Sequence, residues 1–458
     1  MRKIVLFAFI VAISSCNRAQ EKTARHELLI SNANIIDVRT GTIVKEQNIV
    51  IDSGSITQVI AEPQPPENFD KHIDASGKYI IPGLAEMHAH IPPTKPSQER
   101  LEEILFLYLS NGITTIRGML GAPYHLDLRT AVANGTVLGP RIFTSSPSLN
   151  GNSVTSKEEA VVKVTAYQKE GYDFLKIHPG IKRDVFDTLV QTANHVGIRF
   201  AGHVPVDVGI QHALESNYAS IDHIDGFLEG LVPKSEQISP EENGFFGFNF
   251  TALADTTKIE SLVKLSKEHE VWIVPTQSLF ERWFSPTPVD SLMQQVEMQY
   301  MPATTLTNWR NQKIAFTDPN AGFDADQWNH FISIRKKLLK ALQDDGHGIL
   351  LGSDAPQVLN VPGFSIHHEI AAMERAGLTP LEIIQSGTLN PAKFFGMENI
   401  FGEIKEGLAA DLIILDDNPL NKLSALQQIT GVLVQGKWLS KEMIDQKLST
   451  IAKNAANN

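Results

Sequence analysis

Cysteine is almost absent. The 458-residue chain has one, Cys16. Intramolecular disulfides are therefore excluded, and so are zinc and iron–sulfur sites built on several cysteines. Any metal must be held by nitrogen and oxygen. Positive charge is also in deficit, with 40 Lys and Arg against 52 Asp and Glu, a formal net charge of −12. That excludes nonspecific nucleic-acid binding through a basic surface. Beyond the first residues, no apolar run is long enough to span a bilayer as a helix. Low-complexity segments and short-period repeats are missing too. Hydrophobic residues make up 42% of the chain and charged residues 20%, enough for a large core without general disorder. The length suggests two or three domains, or one large barrel with an accessory piece.

The N-terminus has a basic start, Arg2-Lys3, then an apolar stretch over 4–13, then Ser14-Ser15-Cys16. This order reads as a secretory signal over residues 1–15, too short to cross a membrane as a helix. Cys16 follows the small residues directly. The segment resembles a bacterial lipoprotein signal, with Ile13 where leucine is usual. The resemblance implies lipid on Cys16, a polar tether over 16–26, and an exported protein facing the periplasm or the cell surface. Membrane contact would then run only through the anchor. An ordinary cleaved signal with a coincidental cysteine is the alternative.

Residues 27–79 read as short strands between turns, and so do residues 397–441. The two ends together predict one β-sandwich, followed by a tail over 442–458. Residues 80–396 alternate strand-like runs with helical patterns. Eight candidate strands fall at 80–88, 113–119, 141–145, 172–177, 198–203, 220–224, 271–276 and 348–354. Helical patterns over 158–170, 183–196, 208–216 and 258–269 separate several of them. Eight such units predict an α/β fold, a distorted (β/α)8 barrel, in preference to an open doubly wound sheet. Two connections are long, 228–257 and 277–347. The second carries Trp283, Phe284, Tyr300, Trp309 and Trp328, a composition suited to covering a substrate site or forming an interface.

Barrel enzymes place reactive groups at the C-terminal ends of strands. Here those ends carry His88 and His90 on the first strand, Lys176 on the fourth, His203 on the fifth, His223 on the sixth and Asp354 on the eighth. His88 and His90, two apart, leave an extended strand from one face. Imidazole and carboxylate suit Zn²⁺ and related first-row ions. Each residue alone has a plainer explanation: an incidental His-x-His, a salt-bridged lysine, an aspartate capping the next helix. Their joint order on the strands of one rim favours a site. His178, two after Lys176, is a candidate for substrate contact, with a supporting role behind the ligands as the plainer reading. His367-His368-Glu369, after the eighth strand, offers a substrate contact or a helix start, and Arg282, Tyr300 and Arg310 are carboxylate-binding candidates by location alone. The other histidines fall in loops, tethers or helical patterns.

These residues sit in motifs that resemble the amidohydrolase superfamily, closest to its imidazolonepropionase-like and prolidase-like branch. The segments are Pro82-Gly83-Leu84-Ala85-Glu86-Met87-His88-Ala89-His90, Ala201-Gly202-His203-Val204, Ile221-Asp222-His223 and Gly352-Ser353-Asp354-Ala355. Gly387-Thr388-Leu389-Asn390-Pro391-Ala392 and the run from Gly402 to Leu412 are similar to its C-terminal signature. The likeness extends over about residues 28–440. It implies two divalent ions, with Zn²⁺ the default, bridged by a carboxylated Lys176. His88, His90 and Asp354 would hold one ion, and His203 and His223 the other. The implied reaction is hydrolysis of an amide, peptide or cyclic amide bond in a small molecule. A hydroxide bridging the metals attacks, Asp354 is general base and acid, and His223 helps the metals stabilise the oxyanion. Gly118 stands where many relatives have Asp after the second-strand arginine, which leaves Arg117 without its usual local partner. Two other readings compete: a mononuclear, deaminase-like hydrolase with Lys176 structural, and a lipid-anchored binding protein without catalysis. Self-association is left open.

Overall fold

The structure is a computed structural model in which residues 25–236 and 239–457 are described. The expected signal over 1–15, Cys16 and most of the tether lie outside the described residues. No helix among them is long and apolar enough to cross a membrane.

The chain opens with five strands: β1 (His26–Ile36), β2 (Ile43–Asp52), β3 (Ser55–Ile60), β4 (Phe69–Asp74) and β5 (Tyr79–Pro82). Seven more follow in the middle: β6 (Leu84–Ala89), β7 (Ile113–Gly118), β8 (Arg141–Leu149), β9 (Phe174–Ile177), β10 (Arg199–Gly202), β11 (Ser220–Asp222) and β12 (Trp272–Val274). The last three are β13 (Leu412–Leu415), β14 (Ile429–Val434) and β15 (Lys437–Ser440).

The two ends meet as expected. One mixed sheet runs β15-β14-β13-β5-β1-β2-β3, with β4 added beside β1. It curls so that its far edge returns: Ile56 N donates to Leu408 O at 2.9 Å, and Ser55 pairs with Ala409 just ahead of β13. Alternation decides the faces. Ile80, Leu412, Ile414 and Leu433 point into the core of this sheet. Their neighbours Ile81, Ile413, Leu415, Val432 and Val434 join the core of the barrel. Each such side chain, fully buried, contributes about 1.5–3 kcal/mol.

The middle of the chain is a parallel barrel in which β6 to β12 pair in sequence order. The eighth segment, 348–355, is not a regular strand. It still closes the barrel, because Leu350 N donates to Ile273 O at 2.8 Å and Met87 N to Leu351 O at 2.8 Å. Parallel bridges join Ile349 to Ile273 and Ala355 to Ala89. The first expected strand, 80–88, is in fact two. The break at Gly83 leaves β5 in the composite sheet and sends β6 into the barrel, so one apolar run serves two cores.

The long helix Ala325–Asp345 comes from the second insert and buries Phe331, Arg335 and Leu338 against the barrel. Asp324 starts it, accepting from Gln327 N. The expected C-terminal tail is also a helix, Lys441–Ala456, capped by Ser440 and burying Ile444 and Ile451.

Candidate metal centre

The C-terminal ends of the barrel strands converge on one spot. His88 reaches it from β6 and His90 from just after it, Lys176 from β9, His203 from just after β10, His223 from just after β11, and Asp354 from the closing segment. Asp354 Oδ1 lies 2.6 Å from His90 Nε2 and 3.4 Å from His88 Nε2. These three side chains can present ligand atoms within 4.8 Å of one another. The histidine rings then form a chain across the barrel. Centroids are 4.6 Å apart from His88 to His223, 4.6 Å from His223 to His203, and 5.0 Å from His203 to His178.

Neighbours orient the rings. Asp225 Oδ2 lies 3.0 Å from His203 Nδ1, and Thr276 Oγ1 lies 2.8 Å from His223 Nδ1. Each contact turns Nε2 toward the site, the usual work of a partner behind a metal-binding histidine. Burial, then the neighbouring His88 and His203, hold His223 well below its ordinary pKa. Burial and Lys176 do the same for His88. Both imidazoles are therefore neutral, the form that binds a metal. His223 and Asp354 both take left-handed backbone, φ 66 and 63. L-residues avoid that region unless the surroundings impose it. The surroundings are visible: Arg335 Nη1 donates to His223 O at 2.9 Å, and His223 N donates to Val274 O at 2.7 Å.

Inside the barrel, below the histidines, lies a charged cluster that sequence reasoning missed. Asp222 is 0% exposed, and its Oδ2 lies 3.0 Å from His88 Nδ1 and 4.0 Å from Lys176 Nζ. Arg117 supports it from the opposite side. It donates to Asp222 Oδ1 at 3.0 Å, Ser220 Oγ at 2.8 Å and Met87 O at 2.7 Å. Burial pushes Asp222 upward, but Arg117 and Lys176 outweigh it and hold the carboxyl below its ordinary value. The partner that Gly118 does not supply to Arg117 thus comes from β11. A signal existed, since Ser220 and Asp222 alternate on a strand whose next residue is His223.

The donor set fits a bound cation. Lys176 is fully buried, and its Nζ has no hydrogen-bond partner. Native proteins seldom leave buried polar atoms in that state unless a ligand or modification completes them. Burial also lowers the Lys176 amine despite Asp222 and Asp354 nearby. The free amine is the form that adds CO₂.

Gly202 sets the spacing between Lys176 and His203. Its φ is 126, and a Cβ there would lie 2.4 Å from Ile177 O and 3.2 Å from Lys176 Cδ. Gly202→Ala is expected to lower unfolding free energy by at least about 2 kcal/mol, read from urea denaturation. A midpoint equal to that of the parent would show that β9 and β10 separate freely.

The remaining candidates make contacts of their own. His178 stands beside His203, with its Nδ1 2.6 Å from Ser148 Oγ. His367 pairs with Asn111 and His368 with Glu297, while Glu369 accepts from the backbone of Gln277 and Ser278. Arg282 donates to Leu359 O, Arg310 pairs with Asp290, and Tyr300 stacks on Phe364.

Comparison with known proteins agrees with this architecture. The model of the Amidohydrolase family matches residues 79–439. An ochratoxinase from Aspergillus niger is 22% identical, over 91% of this chain and 87% of its own. Adenine deaminase 3 from Rhizobium meliloti (strain 1021) is 22% identical, over 91% of this chain and 58% of its own length. Among solved structures, a bottromycin amidohydrolase has a TM-score of 0.70 at 22% identity, covering 93% of this chain and 90% of that one. A Xaa-Pro dipeptidase with bound methionine in its active site has a TM-score of 0.64 at 19% identity, covering 90% and 99%. These two structural likenesses establish the fold.

Proposed function

The chain belongs to the amidohydrolase family, and on that premise we propose that it is a metal-dependent hydrolase cleaving the C–N bond of an amide, peptide or cyclic amide. One observation carries this reading: five ligand-type side chains from four places on the barrel rim converge around buried Lys176, whose Nζ has no hydrogen-bond partner. We assign His88, His90 and Asp354 to one divalent ion, His203 and His223 to a second, and carboxylated Lys176 to both. Such ions supply Lewis-acid polarisation of a carbonyl and bring the pKa of water toward neutrality. Asp354 has the place of general base. Its Oδ1 faces the two first-strand histidines, so it takes the proton of the attacking water and passes it to the leaving nitrogen. His223, with its Nδ1 on Thr276, would turn Nε2 to the second ion and so hold the cation that offsets charge on the carbonyl oxygen. Asp222 and Arg117 act behind these residues by holding His88.

The relatives' names support amide substrates, since an amidohydrolase and a dipeptidase share the fold. The adenine deaminase relatives favour the second reading, a deaminase-like hydrolase, for which the chain would hold a single ion. Metal content and products separate the two. Purified protein loaded with Zn²⁺ is expected to hold about two ions per chain and to hydrolyse members of a panel of N-acyl amino acids and dipeptides. Chelation should abolish the activity, and reloading without bicarbonate should restore it poorly, because Lys176 must regain CO₂. One ion per chain with ammonia released from an aminopurine would favour the deaminase. Full hydrolysis after complete metal removal would overturn both.

A further inference from the structure

Between β11 and β12 the chain turns over the centre. Phe246 stands at the tip of this turn. Its ring centroid lies 5.3 Å from that of His223 and 5.7 Å from that of His203. Phe246 is only half-buried, and its ring packs beside the two histidines. Its backbone is left-handed, φ 53 and ψ 45, which an L-residue avoids unless it is held there.

The holding contacts are specific. Asn243 Nδ2 donates to Glu229 Oε1 at 2.8 Å, ahead of the turn. Just after it, Gln327 Nε2 of the long helix donates to Phe248 O at 2.6 Å. The next residue, Gly247, lies so close to Leu228 and Glu229 that a Cβ would stand 2.9 Å from each. Phe246 itself meets Phe245 and Phe280 edge to face, at 4.8 and 5.1 Å. Phe280 belongs to the second insert, and the Arg335 guanidinium lies 3.5 Å over its ring. The two long inserts pack on each other through several rings, Phe245 and Phe248 among them, and Phe246 carries that packing up against the candidate metal ligands.

We propose that Phe246 is a specificity-determining residue: it forms a flat apolar wall beside His203 and His223 that selects amides bearing an aromatic or large apolar group next to the scissile bond. The proposal rests on the hydrolase reading given above. An aromatic substrate group would lie against the ring, displacing water from two apolar surfaces. Glycine-like substrates would leave that wall wet.

The test compares substrates and inert probes. N-acetylphenylalanine, N-phenylacetylglycine and N-acetylglycine place an aromatic group on either side of the amide or on neither. Their sulfonamide counterparts, N-methylsulfonylphenylalanine, N-benzylsulfonylglycine and N-methylsulfonylglycine, resist hydrolysis and report binding by calorimetry. The metal-loaded parent should favour at least one aromatic member over the glycine compound by about tenfold, in kcat/KM and in Kd. Phe246→Gly tolerates the left-handed backbone, and it should reduce that preference to about twofold or less without changing metal content. Phe246→Tyr should keep the preference and confirms that the turn still folds. Equal binding of the three probes by the parent, or a preference that survives in Phe246→Gly, would overturn the proposal. Hydrolysis without aromatic preference would count against Phe246 alone. Aromatic-selective binding that Phe246→Gly removes, with no amide cleaved, would support the wall and defeat the hydrolase reading.

Discussion

An Asp354→Asn enzyme is expected to keep its metal ions and lose about 10²–10⁴-fold in kcat. Asparagine preserves the shape and one oxygen of the side chain, so the contact to His90, 2.6 Å in the parent, has a replacement. What it removes is the ability to accept and return a proton. The backbone supports this separation of roles. Asp354 N donates to His88 O at 2.9 Å, and His90 N donates to Ala355 O at 2.7 Å, so the segment is held from the main chain. The measurement is kcat with the metal content of the same sample. Full rate with both ions bound would remove Asp354 from the proton path. Loss of the ions together with the rate would make it a ligand first.

The second large effect belongs to Asp222. Asp222→Ala is expected to cost about 3–5 kcal/mol of unfolding free energy, because Arg117 is left buried and charged without its partner. Arg117 is also 0% exposed, so solvent does not replace the lost contact. Metal affinity should fall by about 10–100-fold as His88 loses the carboxylate behind its Nδ1. Asp222→Asn separates the two effects. Its side-chain oxygen still accepts from Arg117, so stability should recover in part while metal affinity stays low. The pH dependence has a definite sign. The Asp222 carboxyl is held below its ordinary value of 3.8. Its contribution is therefore present above pH 3.8 and lost as the pH falls through the lower folded value. The parent should lose stability on that acid limb, and Asp222→Asn should lack this component. Denaturant unfolding and metal titration at several pH values read both effects. An Asp222→Ala protein as stable as the parent would mean that Arg117 finds another partner.

Much of the fold was legible because its physics is local. Alternating apolar residues at both ends predicted strands, and the helical pattern over 183–196 matches the helix Arg183–Val196. The rim residues were legible because strand ends are marked by a polar residue after an apolar run. Register and closure were not. The apolar run at 80–88 carries no mark of its division between two sheets, since both cores want the same residue types. Segment 348–355 closes the barrel through scattered hydrogen bonds rather than a ladder, and left-handed Asp354 interrupts it.

The single cysteine by itself restricted any metal site to nitrogen and oxygen ligands, and the order of His88, His90, Lys176, His203, His223 and Asp354 named its candidates. Composition and local pattern suffice for such statements, because they depend on residue type and near neighbours along the chain. Only the tertiary structure decided what stands behind and above those residues. Asp222 meets Arg117 across 105 positions, and Phe246 meets His203 and His223 from a left-handed turn within the first insert. Contacts of that kind follow from how the barrel closes and how its inserts pack, and a linear pattern of residue types does not record them.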